Sequence, residues 1–234
     1  MNHEQPDLRW VWLGALGCFI LAGSTGVLFR FGLLNGFPAG LQLVDVRHAH
    51  SHLMYFGWVT PVLMALILKQ LPRVTEKAMQ FAKGFQGVIG LTLVLALLAY
   101  PPFLLFGYRL AGIGGRQMPL AVMAASLNIL AWYAFIGLYI RATWRLPRRL
   151  PLRLWDASLA FLVLASVGAW GRGVLVALGV DDPFWQAAMV HLFLDFFSDG
   201  WFLLALLGVA YSLLPAANVA RQRWGTRLLI LGLP

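Results

Sequence analysis

HAHSHLMYFGWVTPVLMALILKQL, running from His48 to Leu71, decides the fold. Beyond its histidine-rich mouth it is apolar almost to Lys69. About 20 apolar residues, at a helical rise of about 1.5 Å each, cross the roughly 30 Å hydrocarbon core of a bilayer. The stretch therefore reads as one membrane span with histidines at its entrance. The chain has five histidines, and His48, His50 and His52 fall within five residues; His191 lies inside another apolar segment and only His3 outside such a setting. Imidazoles placed against hydrocarbon are costly, which makes them candidate functional groups. On a helix His48 and His52 share a face, while His50 points away from it. One turn can then offer imidazoles to two sides.

Outward from this stretch the pattern repeats. Hydrophobic residues make up 60% of the chain and charged residues 12%, with a mean hydropathy of +0.76, which places it with multi-spanning helical membrane proteins rather than soluble domains. The pattern predicts an all-α polytopic bundle of six transmembrane helices in a single domain over 1–234, with spans at 10–33, 48–71, 85–106, 119–140, 155–178 and 184–214. The first run, from Trp10, is too long and too poorly flanked for a cleaved signal peptide and reads as a retained span. The tail Leu228–Pro234 resembles the start of a further span. A lone cysteine, Cys18, rules out an internal disulfide or a cysteine metal cluster.

The net charge of +9 sits in short loops, so it reads as membrane orientation and not as a nucleic-acid footprint. Lys69, Arg73, Lys77 and Lys83 lie at or beyond the end of span 2, Arg141, Arg145, Arg148, Arg149 and Arg153 follow span 4, and Arg221, Arg223 and Arg227 follow span 6. The opposite loops hold only Arg47, Arg109 and Arg116, offset by Asp45, Asp181 and Asp182. This asymmetry predicts an integral protein of a bacterial-type inner or plasma membrane with both termini cytoplasmic. His52 and His191 then lie at comparable depth below the outer surface, about 6–10 Å from their span starts.

Spans 2 and 6 share a frame. His48, Gly57, Trp58 and Pro72 recur as His191, Gly200, Trp201 and Pro215 at one constant offset, and His52 then corresponds to Asp195. Leu21 and Ala22 align more weakly with Leu164 and Ala165, and Arg30 lies beside Arg172. Spans 1–2 and 5–6 are thus a candidate repeated helix pair, an architecture known in membranes. Coincidence is the competing reading, since Gly, Trp and Pro are common near span ends.

Two ligand chemistries suit these residues. A haem b needs axial imidazoles, which facing helices can supply from His48, His50, His52 and His191. Arg47, Arg172 and Arg30 are candidate cations for its propionates, and Phe56, Trp58 and Phe197 can line the ring. Alternatively the i, i+4 pairs His48/His52 and His191/Asp195 form a three-nitrogen, one-carboxylate set suited to Zn, Cu or Fe, with His50 a further candidate ligand. With an open position such a metal would hydrolyse a lipid-like substrate. Asp195 and Asp199 are the candidate catalytic or proton-handling carboxylates, one and two turns beyond His191. Against both stand plainer readings: His48 as an interfacial hydrogen-bonding group, Asp195 and Asp199 paired with Arg172, Asn128 as interhelical glue, and the chain as a structural membrane subunit.

Ala49-His50-Ser51-His52-Leu53, continuing through Gly57-Trp58 to Pro72, resembles the helix of haem–copper oxidase and nitric oxide reductase catalytic subunits that carries an H-x-H pair. The resemblance implies His50 facing a high-spin haem and His52 a low-spin haem, with His191, on a span that ends from Tyr211 to Pro215, as the other low-spin ligand. Spans 3, 4 and 5 contain no histidine, so the family's three-histidine copper or iron centre cannot be assembled, and His48 is an addition. What remains implied is a small haem-binding relative for electron transfer or haem-linked gas chemistry. Its partners would be the bilayer and other membrane subunits or a redox protein.

Overall fold

The structure, a computed structural model, describes residues 7–77 and 81–214 with the single positions 225 and 232. It is an all-α polytopic membrane bundle. Six helices are long and apolar enough to cross a membrane: α1 (Arg9–Asn35), α2 (Leu43–Thr75), α3 (Ala82–Phe106), α4 (Leu120–Thr143), α5 (Leu150–Ala177) and α6 (Pro183–Leu213). The tail Leu228–Pro234 as a span, the cations Arg221, Arg223 and Arg227, and Pro215 of the repeated pattern lie outside the described residues.

Local chemistry explains the boundaries. At the end of α1, Gly36 adopts φ 84° and its N–H bonds the Gly32 carbonyl at 3.0 Å, a helix stop that a side chain would resist. A turn at Pro38–Gly40 then leads into α2. That helix begins at Leu43, five residues before the apolar run at His48. Its first turn carries Asp45, which is buried and ion-paired with Arg109, so a carboxylate that hydropathy reads as loop becomes part of the helix. Between α3 and α4 lies a small antiparallel hairpin, β1 (Ala111–Ile113) and β2 (Arg116–Met118). Its turn residues Gly114 and Gly115 both have positive φ, as a tight two-residue hairpin requires. Pro183 opens α6, where the Asp182 side chain accepts from the Phe184 N–H at 2.8 Å.

The chain divides into two compact units, each described by itself. The histidine unit comprises Asp7–Val62 and Lys83–Phe135. In it α1 lies along the first half of α2 through small residues, Ala15, Cys18, Ala22 and Thr25, all buried. Ala49 of α2 packs with Ala99 and Phe103 of α3 and Ala121 of α4. Hydrogen bonds that cross between helices include Thr25 Oγ1 to Tyr100 OH at 2.7 Å, and Asn128 Nδ2 to the Thr92 carbonyl at 2.9 Å. Asn128 thus serves as interhelical glue.

Among the described residues the second unit comprises 63–77, 81–82 and 136–214. Here α5 runs along α6. A Cβ at Gly168 would lie 2.5 Å from the Met189 carbonyl oxygen and the Phe193 nitrogen, so the two backbones meet where no side chain fits. Buried Tyr139 donates to Asp156 at 3.0 Å, and Arg148 pairs with the same carboxylate at 3.1 Å. Exposed Glu76 and Arg149 form a further pair at 2.6 Å, which holds the Glu76 carboxyl below its ordinary pKa; such a surface pair is screened by solvent.

Candidate functional site

The three clustered histidines have three different surroundings within the histidine unit. His50 is half-buried, and its Nδ1 lies 2.8 Å from the backbone carbonyl of Ala22 on α1. A carbonyl only accepts, so Nδ1 carries the proton and, in the neutral ring, Nε2 keeps its lone pair. Gly26 seats the ring: a Cβ there would stand 3.2 Å from the imidazole Cε1. An imidazole that donates its other N–H to a backbone carbonyl is oriented and made more basic as a ligand.

His52 is buried on the other side of the helix. Its ring stacks on Phe56 with centroids 4.1 Å apart and lies 4.7 Å from that of Phe103. Its Nε2 has no hydrogen-bond partner among the described residues. His48, half-buried, meets the ring of Tyr108 edge-on at 4.9 Å. Phe56 in turn contacts Trp132 at 4.4 Å. Arg47 on the same helix is exposed.

Immediately after His52 the helix widens into a π segment, Leu53–Val59, and the Thr60 hydroxyl bonds the Tyr55 carbonyl at 2.8 Å. Pro61 follows and has no N–H to continue the α ladder. Single π turns inside α-helices occur frequently at functional sites.

In the second unit α6 carries a π segment at the same place. It spans Phe196–Leu203, immediately after Asp195, the counterpart of His52. The packing corresponds too. Gly57 abuts Cys18 of α1, and Gly200 abuts Phe161 of α5; Cys18 and Phe161 are separated by the same offset as the two glycines. The π segment, the glycine and the residue it faces therefore occur in one register in both units. The counterpart of His50 is Phe193, seated over Gly168, so the carbonyl-bonded imidazole belongs to one half alone.

His191, Asp195 and Asp199 are all exposed along α6. Neither aspartate makes an ion pair or side-chain hydrogen bond among the described residues, so the pairing with Arg172 is not found. Arg172 is half-buried and has interactions of its own. Trp58 packs on Phe19 at 4.9 Å, and Phe197, buried, lies 5.3 Å from Phe193. Among the described residues no three of His, Cys, Asp or Glu stand close enough together to hold a metal ion. His48, His50 and His52 belong to one unit and His191 and Asp195 to the other.

Sequence reasoning missed the partners of the histidines. Ala22 and Gly26 are legible only as members of a small-residue stripe on α1. Phe103 and Tyr108 gave no signal, being ordinary aromatics near a span end. The Asp45–Arg109 pair, joined by the Gln42 side chain on the same guanidinium, ties the start of α2 to the segment after α3. No family model, curated protein or solved structure matches the chain.

Proposed function

We propose that the chain is a membrane haem b-binding protein, serving electron transfer or haem-linked gas chemistry as one subunit of a larger assembly. The observation that carries the reading is the His50 Nδ1 bond to the Ala22 carbonyl, which leaves Nε2 as a fixed donor on the H-x-H helix. The unpartnered Nε2 of buried His52, stacked among aromatic rings on the other side of the helix, supports a second imidazole ligand directed at a separate haem. His50 and His52 are the candidate iron ligands, with Arg47 the candidate cation for a propionate. His191 keeps the role of a further imidazole donor that its sequence assigns. Bound haem supplies a one-electron couple at the iron; the protein's part is to fix imidazole tautomer and exclude water from the ring. With its basic loops inside, the protein has both termini in the cytoplasm.

A reduced-minus-oxidised spectrum of the purified full chain, with haem and metal assayed on the same sample, tests the reading. An α-band at the b-type position that is lost in His50→Ala supports it. A colourless protein with a stoichiometric metal ion selects the non-haem alternative, and a sample with neither overturns both.

A further inference from the structure

His191, Asp195 and Asp199 stand one turn apart on α6, exposed and, for the carboxylates, without partners among the described residues. From the Pro183 end, Asp195 and Asp199 lie about 18 and 24 Å along the helix axis, the middle depth of a span. Carboxylates at that depth do not rest against lipid; they face protein, another charge or water.

The residues at matching positions of α2 indicate what would cover this face. At the common offset His48, His52 and Phe56 are the counterparts of His191, Asp195 and Asp199. In the histidine unit His48 meets Tyr108, His52 meets Phe103, and Phe56 meets Trp132. The cover is thus α3, the segment after it, and α4. Leu43–His52 accordingly buries Asp45, Val46, Ala49 and His52, whereas Pro183–Asp195 buries none of its residues. The matching helix face is packed in the histidine unit, whereas on α6 His191, Asp195 and Asp199 are exposed.

We propose that the His191–Asp195–Asp199 face of α6 docks a transmembrane helix of a different polypeptide, one that carries Lys or Arg at the depth of Asp195. Charge decides the occupant. A second copy, related by an axis along the membrane normal, would set Asp195 against Asp195 at equal depth, two like charges in a low dielectric. A basic helix instead pairs both carboxylates. This deepens the reading of the chain as one subunit of an assembly and does not rest on haem ligation by His50 or His52.

The test places a photoreactive benzoyl-phenylalanine at Leu192 or Phe202, which border the stripe, in the full chain in its native membrane. Leu98, exposed on α3, is the control position. The expected result is an adduct with another polypeptide, at least ten-fold above the control, whose cross-linked peptide is an apolar segment containing Lys or Arg. Asp195→Lys should reduce it at least ten-fold, Asp195→Glu should keep it, and changing the partner's basic residue to Asp should restore it in the Lys variant. If Asp195→Lys fails to insert, Asp195→Asn should still weaken the adduct. Adducts with lipid alone, with a second copy alone, equal in yield to the control, or indifferent to Asp195→Asn overturn the proposal. A haem spectrum of the same samples reports separately on the cofactor.

Discussion

The Nδ1 of His50 and the backbone carbonyl of Ala22 are joined at 2.8 Å across two helices, and Gly26, one turn beyond Ala22, leaves room for the ring. A single helix pair thus sets the tautomer of one imidazole in an apolar setting. Its neighbour two residues on, His52, is held by ring stacking instead.

Gly26→Val should push the His50 ring off its carbonyl, since even a Cβ stands 3.2 Å from Cε1. Loss of such an orienting bond typically lowers metal or haem affinity about 10–100-fold. If the chain holds haem as proposed, haem titration of wild type and variant measures the loss, and wild-type affinity in the variant would show that α1 does not orient His50.

His52→Leu separates ligation from packing. A buried nitrogen without a partner costs roughly 1–3 kcal/mol, so an apolar replacement of similar size should leave the apo-protein as stable or more so. If His52 is a ligand, the same variant loses haem. Thermal unfolding and haem content, read together, decide; unchanged haem with raised stability would leave His52 a packing residue.

Arg109→Gln should destabilise the protein by about 1–3 kcal/mol, because it strands the buried Asp45 carboxylate, while Arg109 itself is half-exposed. Asp45→Asn should cost less, and the double variant should recover part of the loss. Additive losses in a denaturation series would mean that the two side chains are not coupled.

Gly168→Ala should be among the more damaging small substitutions, roughly 1–3 kcal/mol, because its Cβ meets backbone on α6 rather than a flexible side chain. Gly17→Ala on α1 has open space and should be neutral or stabilising by helix propensity. Equal effects of the two would argue against the close approach of α5 and α6.

Cysteines placed at Arg73 and Arg148, in a Cys18→Ala background, should resist an impermeant thiol reagent in intact cells and react after lysis. Labelling of both from outside would invert the assigned orientation.

Much of this molecule is determined by its sequence alone. Six apolar runs at spanning length force six helices, because a backbone in hydrocarbon has to satisfy its own hydrogen bonds. The H-x-H cluster and the shared frame of α2 and α6 are also local and legible. Helix starts were less so: Asp45 reads as loop until Arg109, distant in sequence, neutralises it. Only tertiary structure seats His50 on Ala22, hides His52 among Phe56 and Phe103, and leaves Asp195 bare where its counterpart is covered. The physical reason is the same in each case. A side chain's own helix fixes the direction in which it points, but the tautomer it holds and the cover it receives depend on a neighbouring helix that hydropathy does not identify.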